Sequence, residues 1–301
     1  MLSTIWEATH CYAEPDSSKS LMHKAKFLLR ALAQWPYSHR WFRYLSEQSE
    51  LAAVLPRQPQ WLHKLQRPYL CQGLSTSAKL RLLRQHYELF LTRLPGKLRA
   101  HLLAEHSQVI ARIEGKNGAS YRIELSLTHT MDKEGELMLA LFPEATRDRL
   151  VTLAFSFGID TNGDGQILLG CVQGPSTGGG HEHFREITKD LHGLMPKMLM
   201  VKTLCMLARQ MGIQYVLAVS NQGHVHNSRL HRYQQIHSDY DALWRSLGGA
   251  PFGRHFYLLS TNQPERPLSD IPSSKRAKYQ RRRALELNIE NQFTAYWNSS
   301  R

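Results

Sequence analysis

The sequence predicts an α+β protein: a helical N-terminal region, then a mixed, mostly antiparallel sheet flanked by helices, and a basic C-terminal helix. The first observation is a change at about residue 108, where helix-length amphipathic segments give way to short segments rich in Val, Ile, Leu and Phe. The second is the order of those short segments: five in succession, then a helical pair, then another apolar segment. The 301-residue chain therefore divides into a helical region 1–105, a core 106–260 and a tail 261–301.

The first region contains helix-length segments separated by proline. Breaks fall at Pro36, Pro56 and Pro95, because proline disfavours helix in the residue before it. The segment STSAKLRLLRQHYELFLTRL opens on a Ser/Thr cap. In KSLMHKAKFLLRALAQW, apolar residues recur at steps of three and four and predict one amphipathic face: Leu21, Ala25, Leu28, Leu29 and Leu32.

Five short apolar segments predict an antiparallel meander: QVIARIE, SYRIELSLT, ELMLALF, RLVTLAFSF and QILLGCVQG. The turns GKNG (115–118) and DTNGDG (160–165) predict hairpin connections. DTNGDG also has the spacing of the start of a calcium loop. The twelfth position of that loop is Cys171 instead of a bidentate Glu, so a hairpin is the better interpretation.

A crossover follows the meander. HFREITKDLHG and PKMLMVKTLCMLARQMG predict a pair of helices, and the apolar segment YVLAVSN predicts the next strand. A connection of this length with helices in it favours parallel pairing of the two flanking strands. HSDYDALWRSLGG then predicts a helix, HFYLLS a last strand, and the tail a capped basic helix.

The basic excess of the chain lies in its two flanks. The formal charge is +8 over residues 1–105, +1 over 106–260 and +4 over 261–301. Six cations fall within nine residues of the tail: Lys275, Arg276, Lys278, Arg281, Arg282 and Arg283. The flanks therefore favour contact with an anionic membrane surface or a lipopolysaccharide precursor. Nucleic acid is an unlikely partner, because no recognised binding motif accompanies the charge.

Compartment is indicated by what the chain lacks. The four cysteines show no close pairing, which favours a reducing environment. The N-terminus has no secretory signal pattern, and no segment approaches about 20 apolar residues. We expect a cytoplasmic protein that can lie peripherally on the inner membrane.

A glycine-rich turn is the first candidate binding site. In QGPSTGGG, Gln173, Gly174, Gly178 and Gly179 precede a helical segment, where unpaired N–H groups favour an anion such as a phosphate. A flexible strand-to-helix connection is the alternative.

The segment TKDLHGLMPK supplies further candidates. Lys189 and Lys197 could contact an anionic cofactor or substrate, and His192 could serve as a general base because the ordinary pKa of histidine lies near neutrality. The alternative is a helix break at Gly193 with solvated charges.

The end of the predicted parallel strand carries Asn221 and His224, and the next helix begins near Tyr240. Strand ends beside a sheet commonly display catalytic groups, so Asn221 and His224 are predicted to share a pocket with the glycine-rich turn, in a cleft between segments 166–173 and 214–220. Tyr240 is a further catalytic candidate. Asn221 could instead cap or turn the chain. The histidines of residues 181–237 include two H-x-H pairs, but no carboxylate or thiol falls in register. We therefore expect surface histidines and no metal site.

Several of these segments resemble the VirK/YbjX family, also called DUF535. They are TKDLHGLMPK, LAVSNQGHVH, DYDALWRSLGG and IPSSKRAKYQRRRALE, together with RPYL, GELMLALF and LLGCVQGP. The similarity runs in matching order from roughly residue 20 to 290. It implies a protein of Gram-negative bacteria associated with virulence, envelope integrity and resistance to cationic antimicrobial peptides.

The order of elements is similar, at fold level, to the GNAT acyl-CoA acyltransferases. That resemblance implies coenzyme A or an acyl-CoA thioester as a small-molecule acyl donor. Trp244 stands where many of those enzymes carry a tyrosine acid, and QGPSTGGG replaces their pyrophosphate loop.

Two functional hypotheses follow. One is a GNAT-like acyltransferase that acts on an envelope component. The other is a non-catalytic accessory factor that docks on anionic membrane or a protein partner through its basic flanks.

Overall fold

The computed structural model describes residues 18–104, 106–128, 130–175, 181–227, 239–262 and 267–301. The helices of these residues are α1 Ser18–Ala33, α2 Trp35–Glu47, α3 Ser49–Val54, α4 Thr76–Arg93, α5 Gly96–Leu103, α6 His181–Asp190, α7 Pro196–Gln210, α8 Tyr240–Ser246 and α9 Ser273–Ser299. The strands are β1 Gln108–Glu114, β2 Ser120–Leu127, β3 Leu137–Pro143, β4 Val151–Ile159, β5 Gly165–Gln173, β6 Tyr215–Val219, β7 Ala250–Phe252 and β8 Phe256–Ser260. Short 3₁₀ helices cover Pro59–Gln66, Val225–Asn227 and Leu268–Asp270.

The strands form one eight-stranded sheet in the order β1-β2-β3-β4-β5-β6-β8-β7. The predicted meander β1–β5 is confirmed, and β5 pairs with β6 in parallel, as the crossover length indicated. The other pairs are antiparallel. The predicted α+β class is confirmed. The three-residue strand β7 was not predicted.

Strand β5 carries a bulge that shapes the candidate site. Ala154 pairs with Cys171 and Phe155 pairs with Leu169, so Gly170 is the extra residue. The parallel pairing of β5 with β6 ends at Leu169 and Ala218, although β5 continues to Gln173. Beyond the bulge, the two strands therefore separate.

The N-terminal helices pack on the sheet and cover an exposed strand edge. Strand β3 begins at Leu137, opposite Phe155, so β4 has no strand partner on that side beyond Phe155. Helix α4 takes its place: His86 Nδ1 accepts the Phe157 N–H at 3.0 Å, and Gln85 Oε1 accepts the Ile159 N–H at 3.3 Å. Buried backbone donors need partners, and here two side chains supply them.

Helix α9 extends the predicted basic tail helix to Ser299 and packs against α7 and β1. Its second half is buried through Leu285, Ile289, Phe293 and Trp297. Buried apolar residues from the N-terminal helices, the sheet and α9 belong to one contiguous core cluster. The basic first half of α9 is mostly exposed.

Helix α1 turns most of its predicted apolar face outward. Leu28, Leu29 and Leu32 are exposed, whereas Phe27 and Ala31 are buried. The Phe27 ring contacts the His63 ring in a tilted arrangement at a centroid distance of 4.1 Å, and its carbonyl accepts a hydrogen bond from Gln66 at 3.2 Å. These contacts with the 3₁₀ helix determine which side of α1 faces the core. Among the helices described, none is both long and apolar enough to cross a bilayer.

Candidate active site

The candidate site lies beside the point where β5 and β6 separate, and three chain segments meet there. They are residues 67–72, 130–136 and 220–227. Leu70 N–H donates to the Lys133 carbonyl at 2.7 Å, and Gln72 N–H donates to the Gly223 carbonyl at 2.9 Å. Segment 67–72, which contains the RPYL motif, therefore joins the other two.

Leu70 adopts a left-handed backbone conformation, with φ of 57°, although it is a fully buried leucine. Such a conformation costs on the order of 1–2 kcal/mol for a residue with a Cβ. Surrounding contacts must hold it, and strained positions of this kind cluster at functional sites.

The bulge glycine allows the second segment to approach the sheet. A Cβ on Gly170 would overlap the carbonyl oxygen of Glu134, so another residue there would push this segment away. The Glu136 N–H donates to the Phe155 carbonyl at 3.0 Å, which anchors the segment to β4. Glu134 is thereby placed over the end of β5, where its side chain is buried.

Glu134 and His226 form the central contact of the site. Glu134 Oε1 lies 2.6 Å from His226 Nε2, and the two side chains are 5% and 16% exposed. They line a cavity of about 450 Å³ together with residues 130–133, Arg149, Thr152, Gln173 and Gly174. A carboxylate and an imidazole in hydrogen-bond contact at the wall of a cavity form a pair that can accept and return a proton.

Two cations line the cavity. Lys133 and Arg149 line it, and Arg149 donates to Thr130 at 3.1 Å. The nearby Asp132 is paired with Arg67 at 2.6 Å, which offsets its charge. The cavity therefore favours a ligand that carries a negative group.

His224 is buried instead of lying at the surface, which corrects the expectation from the sequence. It is 2% exposed, its Nδ1 accepts the His226 N–H at 3.3 Å, and its ring stacks on Tyr240 at 5.3 Å. Burial lowers the pKa of His224 to about 4, and Glu134 partly opposes this shift. The ring is therefore neutral near pH 7, and it contacts the Tyr240 ring and the His226 backbone.

The space between the two separating strands is filled. Tyr240 Oη accepts the Val172 N–H of β5 at 3.3 Å, and Trp244 Nε1 donates to the Val219 carbonyl of β6 at 2.8 Å. Both side chains are buried, and burial raises the pKa of Tyr240 well above its usual value. The cleft predicted between these strands is thus occupied by aromatic side chains, and the cavity lies beside it.

Asn221 holds β6 to the start of α8. Its Oδ1 accepts the Tyr240 N–H at 2.8 Å, and its Nδ2 donates to Asp239 at 2.9 Å. Asp239 in turn accepts the Ala242 N–H at 3.0 Å as the N-cap. The contacts of Asn221 are therefore those of a residue that caps and turns the chain, which was the alternative to a catalytic role.

Two of the four candidates in the glycine-rich turn lie within the described residues. Gln173 and Gly174 line the cavity, and Lys197 lies beside Gly174, with its Cε 3.9 Å from where a Cβ would stand. Burial lowers the pKa of Lys197. Gly178 and Gly179 lie outside the described residues.

Lys189 lies in the last turn of α6 and His192 in the connection between α6 and α7, and neither is among the described residues that line the cavity. His192 has a φ of 54°, and its carbonyl accepts a hydrogen bond from Arg282 of α9 at 2.9 Å. Arg282 also donates to the Gly193 carbonyl. Basic groups at the carbonyl end of a helix are favourable. Lys189 is exposed.

Asp190 of the same motif secures the β1–β2 hairpin. It is buried, and its carboxylate accepts the Asn117 N–H at 2.8 Å and the Tyr121 hydroxyl at 2.7 Å. The residues of this motif therefore make contacts that join neighbouring segments of the fold.

Sequence reasoning missed Glu134 and considered His226 only as a metal ligand. Lys133 and Arg149 were also missed. The available signal was the polar turn MDKEGE immediately before an apolar strand. Loop residues next to a rigid sheet commonly carry function.

Comparison with known proteins identifies the family. The model for "Protein of unknown function (DUF535)" matches residues 16–295. The chain belongs to this family. The uncharacterized protein YbjX of Escherichia coli K12 is 33% identical over 261 residues, which cover 86% of this chain and 78% of that relative.

Two further similarities are more distant. A protein named membrane protein LapB, from Mannheimia haemolytica, is 25% identical over 71% of this chain and 90% of its own length. Among solved structures, a cAMP-binding acyltransferase from Mycobacterium smegmatis covers 70% of this chain and 66% of its own, with 10% identity and a TM-score of 0.28. A TM-score of that size carries no argument about activity.

Proposed function

We propose that this member of the DUF535 family is an enzyme that transfers an acyl group to an anionic component of the bacterial envelope. The Glu134–His226 pair would be its general base. The observation that carries the proposal is the 2.6 Å contact of these two side chains at the wall of a cavity of about 450 Å³. General bases of this kind typically contribute 10²–10⁴-fold to a rate.

Charge at the cavity supports the choice of substrate class. Lys133 and Arg149 provide positive charge in the cavity lining, and Thr152 and Gln173 provide neutral hydrogen-bonding groups. A phosphate or carboxylate on the substrate suits this lining. The resemblance to VirK/YbjX proteins, and a relative named as a membrane protein, support an envelope component.

An acyl-coenzyme A arm threaded between β5 and β6 does not fit this site. The Val172 N–H and the Val219 carbonyl, with which an extended arm could pair, already bond to Tyr240 and Trp244. An acyl donor would therefore enter from the cavity side, past Gly174 and Lys197.

The chemistry assigned to the chain's own residues is proton transfer. A hydroxyl or amine of the acceptor loses its proton to the Glu134–His226 pair as its oxygen or nitrogen attacks the acyl carbon. The bond from that carbon to the leaving group breaks, and the pair returns the proton to the leaving group.

The test combines ligand binding with turnover. The melting temperature is measured with acyl-coenzyme A and with anionic envelope lipids, and acyl transfer is followed by release of free thiol. Glu134→Gln keeps the size of the side chain and removes its charge, so we expect stabilisation by ligand to persist while turnover falls at least about 100-fold. Glu88→Gln, at an exposed position of α4, is the matched control. Equal turnover in Glu134→Gln and the unsubstituted protein would contradict the proposal.

A further inference from the structure

The outward side of helix α1 carries large apolar side chains at helical spacing. Met22, Leu29 and Leu32 are 48%, 68% and 63% exposed. Residues seven apart, such as Met22 and Leu29, lie on the same side of a helix, and Leu32 follows three residues later. Ala25 lies between them and is also exposed. We call Met22, Ala25, Leu29 and Leu32 the outer face of α1.

Contacts on the opposite side hold the outer face away from the core. Phe27 and Ala31 are buried at 2% exposure each. The Phe27 carbonyl accepts the Gln66 hydrogen bond, which ties α1 to the body of the protein. Packing of the opposite side therefore directs the outer face outward. Its apolar residues lie together, whereas the exposed apolar residues that are common on protein surfaces are scattered singly.

Positive charge lies along one edge of the outer face. Lys26 and Arg30 are exposed and four residues apart, so they lie on the same edge of the helix. No Asp or Glu occurs from residue 17 to residue 46, whereas this stretch contains six Lys and Arg residues. An acidic protein partner could match the charge but would not need so wide an apolar face. A helix with apolar residues on one side and basic residues beside them matches an anionic lipid surface.

The basic tail matches such a surface less well. Arg282 donates to the carbonyls of His192 and Gly193, and Arg276 donates to the Ile271 carbonyl at 2.9 Å. Arg276 and Arg282 of the tail thus make contacts within the protein. The exposed side of this half of α9, residues 273–281, also contains no large aliphatic side chain.

We infer that α1 docks on an anionic bilayer, with its outer face in the headgroup region and Lys26 and Arg30 against lipid phosphates. Trp35, 37% exposed at the start of α2, stands next to this face, and tryptophan favours the membrane interface. The inference does not depend on the reaction assigned to the cavity.

The experiment is sedimentation of the full chain with vesicles. Vesicles of phosphatidylglycerol and phosphatidylcholine are compared with vesicles of phosphatidylcholine alone, at low and high salt. We expect binding to the anionic vesicles that weakens with salt. The double variant Leu29→Ser/Leu32→Ser should bind at least about tenfold more weakly, and Lys26→Gln/Arg30→Gln should also lose binding.

Matched controls separate this surface from general effects. Leu268→Ser/Leu287→Ser changes two other exposed leucines, and Lys275→Gln/Arg281→Gln changes two exposed cations of α9. Both should bind as the unsubstituted protein does, and circular dichroism should be the same for all four variants. The inference is overturned if anionic vesicles do not bind, if the α9 variant loses binding while the α1 variants keep it, or if the α1 leucines instead govern a dimer in solution.

Discussion

His86 is a histidine whose structural role requires it to stay neutral. Its Nδ1 accepts the Phe157 N–H, and the ring stacks on Phe157 at 5.3 Å. Burial, with a contribution from the Lys64 charge, lowers its pKa to about 3 from an ordinary 6.5. Protonation would remove the acceptor and place a second cation in the core.

The pH dependence of stability follows from this shift. Below pH 6.5 the unfolded chain binds a proton that folded His86 rejects, so stability is lost as the pH falls from 6.5 toward 3. The loss from this residue at pH 5 is about 2 kcal/mol. His86→Gln keeps an acceptor without a titrating group. We expect denaturant unfolding at pH 7 and pH 5 to show a smaller decrease in the free energy of unfolding for His86→Gln, by about 2 kcal/mol. An unchanged decrease would count against this account.

Left-handed backbone conformations mark two of the resemblance motifs. Leu70 of RPYL and His192 of TKDLHGLMPK have φ values of 57° and 54°. In both cases the backbone carries the interaction, through the Leu70 N–H and the His192 carbonyl. These motifs therefore position neighbouring segments, and a general-base role for His192 remains a prediction.

At the scale of elements, helices protect the sheet at two strand edges. Helix α4 covers the free half of β4, and α9 covers β1. Gln292 of α9 behaves as a partner strand would: its Oε1 accepts the Arg112 N–H at 2.9 Å, and its Nε2 donates to the Arg112 carbonyl at 2.6 Å. Covered edges resist pairing with other chains.

Substitution of Gln292 tests this protection. Gln292→Ala removes both hydrogen bonds to β1 and should lower the free energy of unfolding by about 1–2 kcal/mol. Gln280→Ala, at an exposed position of the same helix, is the control and should change it by less than about 0.5 kcal/mol. Denaturant unfolding measures both values. A difference between the variants within experimental error would show that these two hydrogen bonds do not stabilise the protein.

The whole molecule is connected by a buried polar network as well as by a shared apolar core. Lys64 of the 3₁₀ helix lies 3.0 Å from Glu136, and Tyr87 of α4 donates to Glu136 at 2.8 Å. Ser156 of β4 bonds to Tyr69 at 2.8 Å and accepts the Glu136 N–H at 3.2 Å. The N-terminal helices, the site loop 130–136 and the sheet thus meet at one point.

Substitution of Lys64 tests how much this buried polar network stabilises the protein. Burial raises the pKa of Glu136, and Lys64 opposes that shift. Lys64→Met would leave a buried carboxylate without its cation, so we expect a loss of about 3–5 kcal/mol in the free energy of unfolding. Lys64→Met/Glu136→Gln should recover much of it, because no buried charge remains. A double variant no more stable than Lys64→Met would refute this explanation.

The secondary structure could be predicted in large part because its signals are local. Alternating or continuous apolar runs, Gly and Asn turns and proline breaks identified the long helices and seven of the eight strands in the described part of the chain. Strand β7 escaped because three residues, Ala250–Phe252, are too few to carry a pattern. The side of α1 that faces the core was not predicted, because apolar residues occur on both sides of that helix.

The amino-acid order by itself determined the strand succession and the parallel crossover, and it predicted that Asn221 and His224 lie near the ends of β5 and β6. Only the tertiary structure decided what those residues do there and brought Glu134 to His226, 92 positions away. The reason is that their contact depends on the bulge at Gly170 and on hydrogen bonds from residues 67–72. These long-range contacts produce no periodic pattern in the sequence.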